Sequence, residues 1–112
     1  MTIKLKPRYP AARYAARAQI AKALAHPSRQ VVLDALADGE LCVCDLTELV
    51  GADQSTVSKH LAVLKNAGIV DDRKEGSKTF YRLKVRCLQG LWQCIESVLA
   101  DDLKHRQAAM EG

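Results

Sequence analysis

Two short apolar-periodic runs, residues 41–50 and 54–66, meet across Gly51, and this junction restricts the architecture more than any other stretch of the chain. In the first run Val43, Leu46 and Val50 recur at helical spacing, and Gly51 supplies the stop. In the second, Asp53-Gln54-Ser55-Thr56 offers several N-cap side chains, Val57, Leu61 and Leu64 line one face, and Asn66-Ala67-Gly68 closes the helix. Two short helices joined by a tight glycine-containing turn read as a helix-turn-helix.

The flanking segments extend this reading. Residues 69–74 and 78–83 have the pattern of two strands around Glu75-Gly76-Ser77, a β-hairpin with a basic tip, and a hairpin in this place is a wing. Upstream, residues 11–25 are alanine-rich, with Ile20 and Leu24 at i,i+4 spacing, and form a strong helix on propensity. His26-Pro27-Ser28 breaks and restarts the chain, Pro27 suits a first helical turn, and Val31, Val32, Leu33, Ala35 and Leu36 follow up to Gly39. From Val85 to about Gln107 helical spacing returns through Leu88, Leu91, Trp92, Ile95, Val98 and Leu99. The expected class is mainly α with a small β-hairpin, a winged helix-turn-helix of order α-α-α-α-β-β-α. Residues 1–10 form a basic N-terminal arm, 11–107 the domain and 108–112 a tail. So small a domain cannot cover the last helix, so Ile20, Leu24, Leu88, Leu91, Trp92, Ile95 and Leu99 are the expected interface of a homodimer.

Composition narrows the partner. With 112 residues and 48% hydrophobic content there is material for one core. Seventeen Lys and Arg against 13 Asp and Glu give +4, which favours a polyanion, and an aromatic content of 4% leaves little for stacking on single strands. Double-stranded DNA fits better. No apolar run is long enough to span a membrane and the first residues lack a signal-peptide core, so a cytoplasmic location without membrane contact is expected. In that compartment four cysteines read as reduced thiols, metal ligands or redox sensors before a structural disulfide framework.

The DNA-reading candidates are Gln54, Ser55, Thr56, Ser58, Lys59 and His60 at the front of the fourth helix, with Lys65 further along it, while Val57 and Leu61 face inward. Alone, such a row is an ordinary solvated helix face; the preceding helix, the turn and the wing turn the balance toward base and phosphate contact. Arg73, Lys74, Lys78 and Arg82 flank the hairpin and suit phosphate contacts, against the plainer reading of charges that protect a sheet edge. No Ser/His/Asp set, phosphate loop or paired-carboxylate site points to an enzyme.

Cys42 and Cys44 stand at the front of the helix-turn-helix, within Glu40-Leu41-Cys42-Val43-Cys44-Asp45-Leu46. On a regular helix, residues i and i+2 project about 200° apart, so a shared ion would have to deform the helix start. That would couple ligand binding to the helix that positions the reader. The plainer alternative is that they are small buried apolar residues. Cys87 and Cys94 share a helix face about 10.5 Å apart along the axis, too far for one ion within a helix, and suit a core or dimer seam better than a third thiolate.

Cys42-Val43-Cys44-Asp45-Leu46, the Gln54-Ser55-Thr56-Val57-Ser58-Lys59-His60-Leu61 helix and the Leu64-Lys65-Asn66-Ala67-Gly68-Ile69-Val70 exit together resemble the ArsR/SmtB family of bacterial metalloregulators, over roughly residues 15 to 105. The resemblance implies a homodimeric winged-helix repressor that needs no cofactor to bind its operator and leaves it when an inducer binds. The cysteine segment is most similar to the arsenic-responsive branch, whose inducer is arsenite or antimonite held by thiolates; soft ligands also admit zinc, cadmium or lead. Where the best-known form of that motif has a third cysteine this chain has Thr47, which leaves the third position to Cys87, Cys94 or an exogenous thiol. Asp101, Asp102 and His105 do not supply the family's whole C-terminal zinc pattern. The competing readings are a redox- or persulfide-sensing repressor of the same fold, a thiol oxidoreductase disfavoured by Cys-x-Cys spacing, and an architectural DNA-binding protein without a ligand.

Overall fold

The computed structural model describes residues 4–111, so residues 1–3 of the expected arm and Gly112 of the expected tail lie outside the described residues. The order is α1 (Ala11–Leu24), α2 (Pro27–Ala37), β1 (Leu41–Cys42), α3 (Val43–Val50), α4 (Gln54–Asn66), β2 (Val70–Glu75), β3 (Lys78–Leu83) and α5 (Leu88–Glu111). Five helices therefore accompany a small antiparallel sheet of order β1-β3-β2, on which α2, α3 and α4 pack. The two-residue strand β1 is the departure from expectation: Leu41 and Cys42 pair with Tyr81 and Phe80 instead of opening the third helix. A two-residue strand has no periodicity to announce it.

Each helix end has a local cause. Pro27 occupies the first turn of α2, and the Ser28 N–H donates to His26 Nδ1 at 3.1 Å. Asp53 caps α4, its carboxylate accepting from the Thr56 N–H at 2.7 Å. Gly51 ends α3 at φ +77°, a left-handed conformation that side chains resist, and so sets the turn between the two helices. Helix α5 runs to Glu111, beyond the expected end near Gln107.

Val32, Leu33 and Leu36 of α2, Leu46 of α3, Val57, Leu61 and Leu64 of α4, with Ile69, Val70 and Leu83 of the hairpin, make one core. The helix-turn-helix is thus clamped between α2 and the wing. Leu88 also joins this core at 6% exposure, so it serves its own chain and not the dimer face expected of it. Along α5, Leu91, Ile95, Val98, Leu99 and Leu103 are all exposed, as is Ile20 of α1. The radius of gyration is 18.5 Å, against about 13 Å for a compact chain of this length. None of the helices among the described residues is long and apolar enough to cross a membrane.

Candidate functional site

Cys42 lies outside α3, with the extended backbone of an N-cap residue (φ −80°, ψ 162°), and Cys44 is the second residue of the helix. The 200° separation of a regular helix therefore does not apply. The two side chains converge without any deformation, their sulfurs joined as a disulfide with Cα atoms 5.3 Å apart. This replaces the reduced pair expected from the sequence. A disulfide across two residues closes almost no loop and so constrains the unfolded chain very little, which makes it a poor structural staple. Cys42 is buried, and its sulfur accepts the Asp45 N–H at 3.3 Å as the helix cap.

Asp45 is the residue that sequence reasoning missed. Its carboxylate lies within 4.8 Å of both sulfurs, and this trio is the sole group of three potential metal ligands found among the described residues. Cys87 and Cys94, exposed near and on α5, are not brought to the pair within the protomer. Thr47, at the position of a third cysteine, donates its hydroxyl to the Val43 carbonyl at 2.7 Å and is occupied inside the helix. The signal for Asp45 was its place in the first turn of α3, where a carboxylate also suits the helix dipole.

A cleft of about 260 Å³ adjoins the cysteines, and its walls come from three elements: Cys42, Val43 and Cys44 of the β1–α3 corner, Gln54 and Ser58 of α4, and Ser77 and Lys78 of the wing tip. Thiols, reading helix and wing thus share one space.

The reader candidates divide on inspection. Gln54, Ser55, Thr56, Ser58 and Lys59 are exposed, although the Ser55 hydroxyl donates to Asp53 at 2.9 Å. His60 turns the other way: its Nδ1 accepts from Arg29 Nε at 3.1 Å, and its ring centroid lies 4.4 Å from that of His26. Burial, then the neighbouring His26 and Arg29, hold its pKa below the ordinary value of 6.5. A half-buried, hydrogen-bonded imidazole is a strut between α2 and α4, and the expectation that it reads DNA is not matched by its placement.

The cations of the wing and of α4 divide likewise. Arg73 bridges Glu40 at 2.6 Å and Glu75 at 2.8 Å and lies over the Phe80 ring; Arg82 ends on Asp71 at 3.2 Å, and Lys65 on Asp72 at 2.8 Å. The Arg73 hydrogen bond in turn lowers the pKa of Glu40. These pairs are exposed and contribute little stability each, but they reduce the charge offered to phosphate. Lys59, Lys74 and Lys78 carry no such partner among the described residues.

A reading helix clamped behind a shorter helix, beside a basic hairpin, defines a winged helix-turn-helix protein of the DNA-binding class. The profile described as bacterial regulatory protein, arsR family, matches residues 26–72. An arsenical resistance operon repressor of Staphylococcus xylosus is 39% identical over 83 residues, which cover 74% of this chain and 80% of that one. A cadmium resistance transcriptional regulatory protein CadC homolog of Staphylococcus aureus is 42% identical over 67 residues, 59% of this chain and 55% of its own. Among solved structures, the homodimeric winged helix-turn-helix DNA-binding domain of a possible ArsR-family regulator from Mycobacterium bovis superposes with a TM-score of 0.73 at 31% identity, covering 92% of this chain and 95% of that one. The chain belongs to the ArsR family of bacterial regulatory proteins.

Proposed function

We propose that the protein is a homodimeric transcriptional repressor released from operator DNA when a thiophilic metalloid, arsenite or antimonite, bonds to Cys42 and Cys44. The observation that carries this reading is the convergence of two sulfurs and the Asp45 carboxylate at the start of α3, in a cleft shared with α4 and the wing. The donor set fits a soft ion once a thiol reductant has opened the disulfide; zinc, cadmium or lead come second. A relative named for arsenical resistance and another named for cadmium resistance support an ionic inducer of this kind. An ion drawn between Cys42, Cys44 and Asp45 takes the sulfur that caps α3 and bears on the cleft walls that Gln54, Ser58 and Lys78 provide. The reader and the wing tip are thereby shifted relative to each other.

Dimerisation follows from the exposed face of Leu91, Ile95 and Leu99 and the groove of about 290 Å³ that Trp92 and Ile95 form with Leu24, in line with the homodimeric relative. Base contacts fall to Gln54, Ser55, Thr56, Ser58 and Lys59, and phosphate contacts to Lys74 and Lys78.

The disulfide favours a second reading, a redox- or persulfide-sensing repressor whose switch is oxidation of the same two thiols. Fluorescence anisotropy of an operator duplex separates the two. The reduced protein is titrated with arsenite, antimonite, zinc, cadmium, and then a peroxide or a persulfide in turn. Release by the metalloids at equimolar concentration supports the first reading; release by oxidant alone, with no response to any ion, overturns it in favour of the second.

A further inference from the structure

The largest share of this chain's net positive charge lies outside the reading helix and wing, whose residues 54–83 hold six Lys and Arg against three Asp and Glu, a net +3. Residues 1–25 contain Lys4, Lys6, Arg8, Arg13, Arg17 and Lys22 and no carboxylate, a charge of +6, whereas the other 87 residues hold eleven Lys and Arg against thirteen Asp and Glu, a net −2. Residues 26–53 and 84–112 together hold five Lys and Arg against ten Asp and Glu, a net −5 that offsets the long-range attraction of residues 54–83 to a polyanion. The wing and the end of α4 add less than their composition suggests, because Arg73 and Arg82 of the wing and Lys65 of α4 end on carboxylates.

The N-terminal cations are also organised. The Arg13 guanidinium lies 4.5 Å from the centroid of the Tyr9 ring and that of Arg17 lies 5.5 Å from the Tyr14 ring, while the Tyr9 N–H donates to the Tyr14 hydroxyl at 3.3 Å. With Arg8 these four side chains line a concavity of about 540 Å³. None of the three arginines ends on a carboxylate among the described residues. Stacking holds the planar forks while leaving their N–H donors unspent, and such forks match phosphate oxygens two at a time.

The helix that carries them is tied to the reader. The Ala23 carbonyl at the end of α1 accepts from Arg29 Nη1 at 3.3 Å, and Arg29 Nε donates to His60 of α4 at 3.1 Å. From that anchor α1 extends about 20 Å, the length of roughly six base-pair steps.

We propose that residues 8–17, the end of the arm and the first turns of α1, form a second DNA contact, gripping phosphates of the duplex beside the half-site and supplying most of the salt-dependent part of binding. The proposal rests on the DNA-binding reading of the fold and not on the metalloid reading. Its test uses the full-length protein and a duplex that the wild type selects from a random-sequence pool, with anisotropy measured across a salt series. Arg8→Gln/Arg13→Gln/Arg17→Gln should weaken binding at least tenfold and reduce the salt slope by about 2 to 3 per protomer, with the ratio of selected to scrambled duplex unchanged. The corresponding Arg→Lys triple variant should keep the slope, since charge is retained. Lys104→Gln/Arg106→Gln, at the far end of α5, should behave as wild type. A wild-type slope in the glutamine variant overturns the proposal, as does its sedimentation as a monomer, which would assign the cluster to the dimer. Lost binding to anionic vesicles or single-stranded RNA with duplex binding intact overturns it in favour of those partners. If the wild type selects no duplex, the DNA-binding reading itself fails, and the proposal with it.

Discussion

At the scale of single residues, Cys42 gives one sulfur two roles, capping α3 through the Asp45 N–H and facing Cys44. Serine is the better cap and a poor ligand for a soft ion, so Cys42→Ser should leave apo stability unchanged or raise it by up to about 1 kcal/mol. Operator affinity should stay close to wild type while release by arsenite disappears. Thermal melts and anisotropy check both halves, and continued release at the wild-type arsenite concentration in the Cys42→Ser/Cys44→Ser double variant would place the sensing site elsewhere. His60 yields a pH dependence. Its lowered pKa means that between this value and the ordinary 6.5 the unfolded chain binds more protons than the folded one, so stability rises with pH through that window and is lost as pH falls through it. The carboxylates with lowered values, Glu40, Asp53 and Asp71, act further down, below ordinary values of 4.5 and 3.8. The thermal midpoint should thus fall between pH 8 and pH 5 in the wild type and fall less in His60→Gln; equal losses would clear the imidazole of responsibility.

Among the elements, the wing separates charge that is offered from charge that is spent. Lys78→Ala should weaken all duplexes alike and reduce the salt slope by about one per protomer, whereas Lys59→Ala on α4 should lower the preference for the operator over scrambled DNA. Salt titrations on both duplexes decide this, and indistinguishable effects would abolish the division between reader and wing. The helices were legible in the sequence because Val57, Leu61, Leu64 and their counterparts repeat at helical spacing, and Pro27, Asp53 and Gly51 mark ends by local chemistry. What was not legible depends on tertiary placement. The pairing of Leu41 and Cys42 with Tyr81 and Phe80 moves the helix start by two residues, and that shift brings the sulfurs together. Likewise Asp71, which meets Arg82 from across the sheet, and Glu40, which meets Arg73 from 33 residues away, are partners that no local spacing reveals. Leu88 shares the apolar periodicity of Leu91 and Ile95, so only the packing separates a core residue from the exposed face.

For the whole molecule, an elongated protomer with a bare apolar helix face is half of an assembly. Ile95→Glu/Leu99→Glu should place charges in the seam and raise the dimer dissociation constant by tenfold or more, about 1.4 kcal/mol. Sedimentation at micromolar concentration reads this directly, and an undisturbed dimer would move the interface off α5. The cleft shared by the cysteines, α4 and the wing tip has a thermodynamic corollary. If the metalloid weakens operator binding by some factor, the operator must weaken metalloid binding by the same factor, since the two sites belong to one cycle of states. Calorimetric titration of arsenite into the protein with and without a saturating duplex should therefore return two affinities whose ratio equals the loss of operator affinity. A cell holding many copies of the operator would then need more arsenite to reach the same occupancy, so the threshold of the response is set jointly by the chain and by the number of sites it guards.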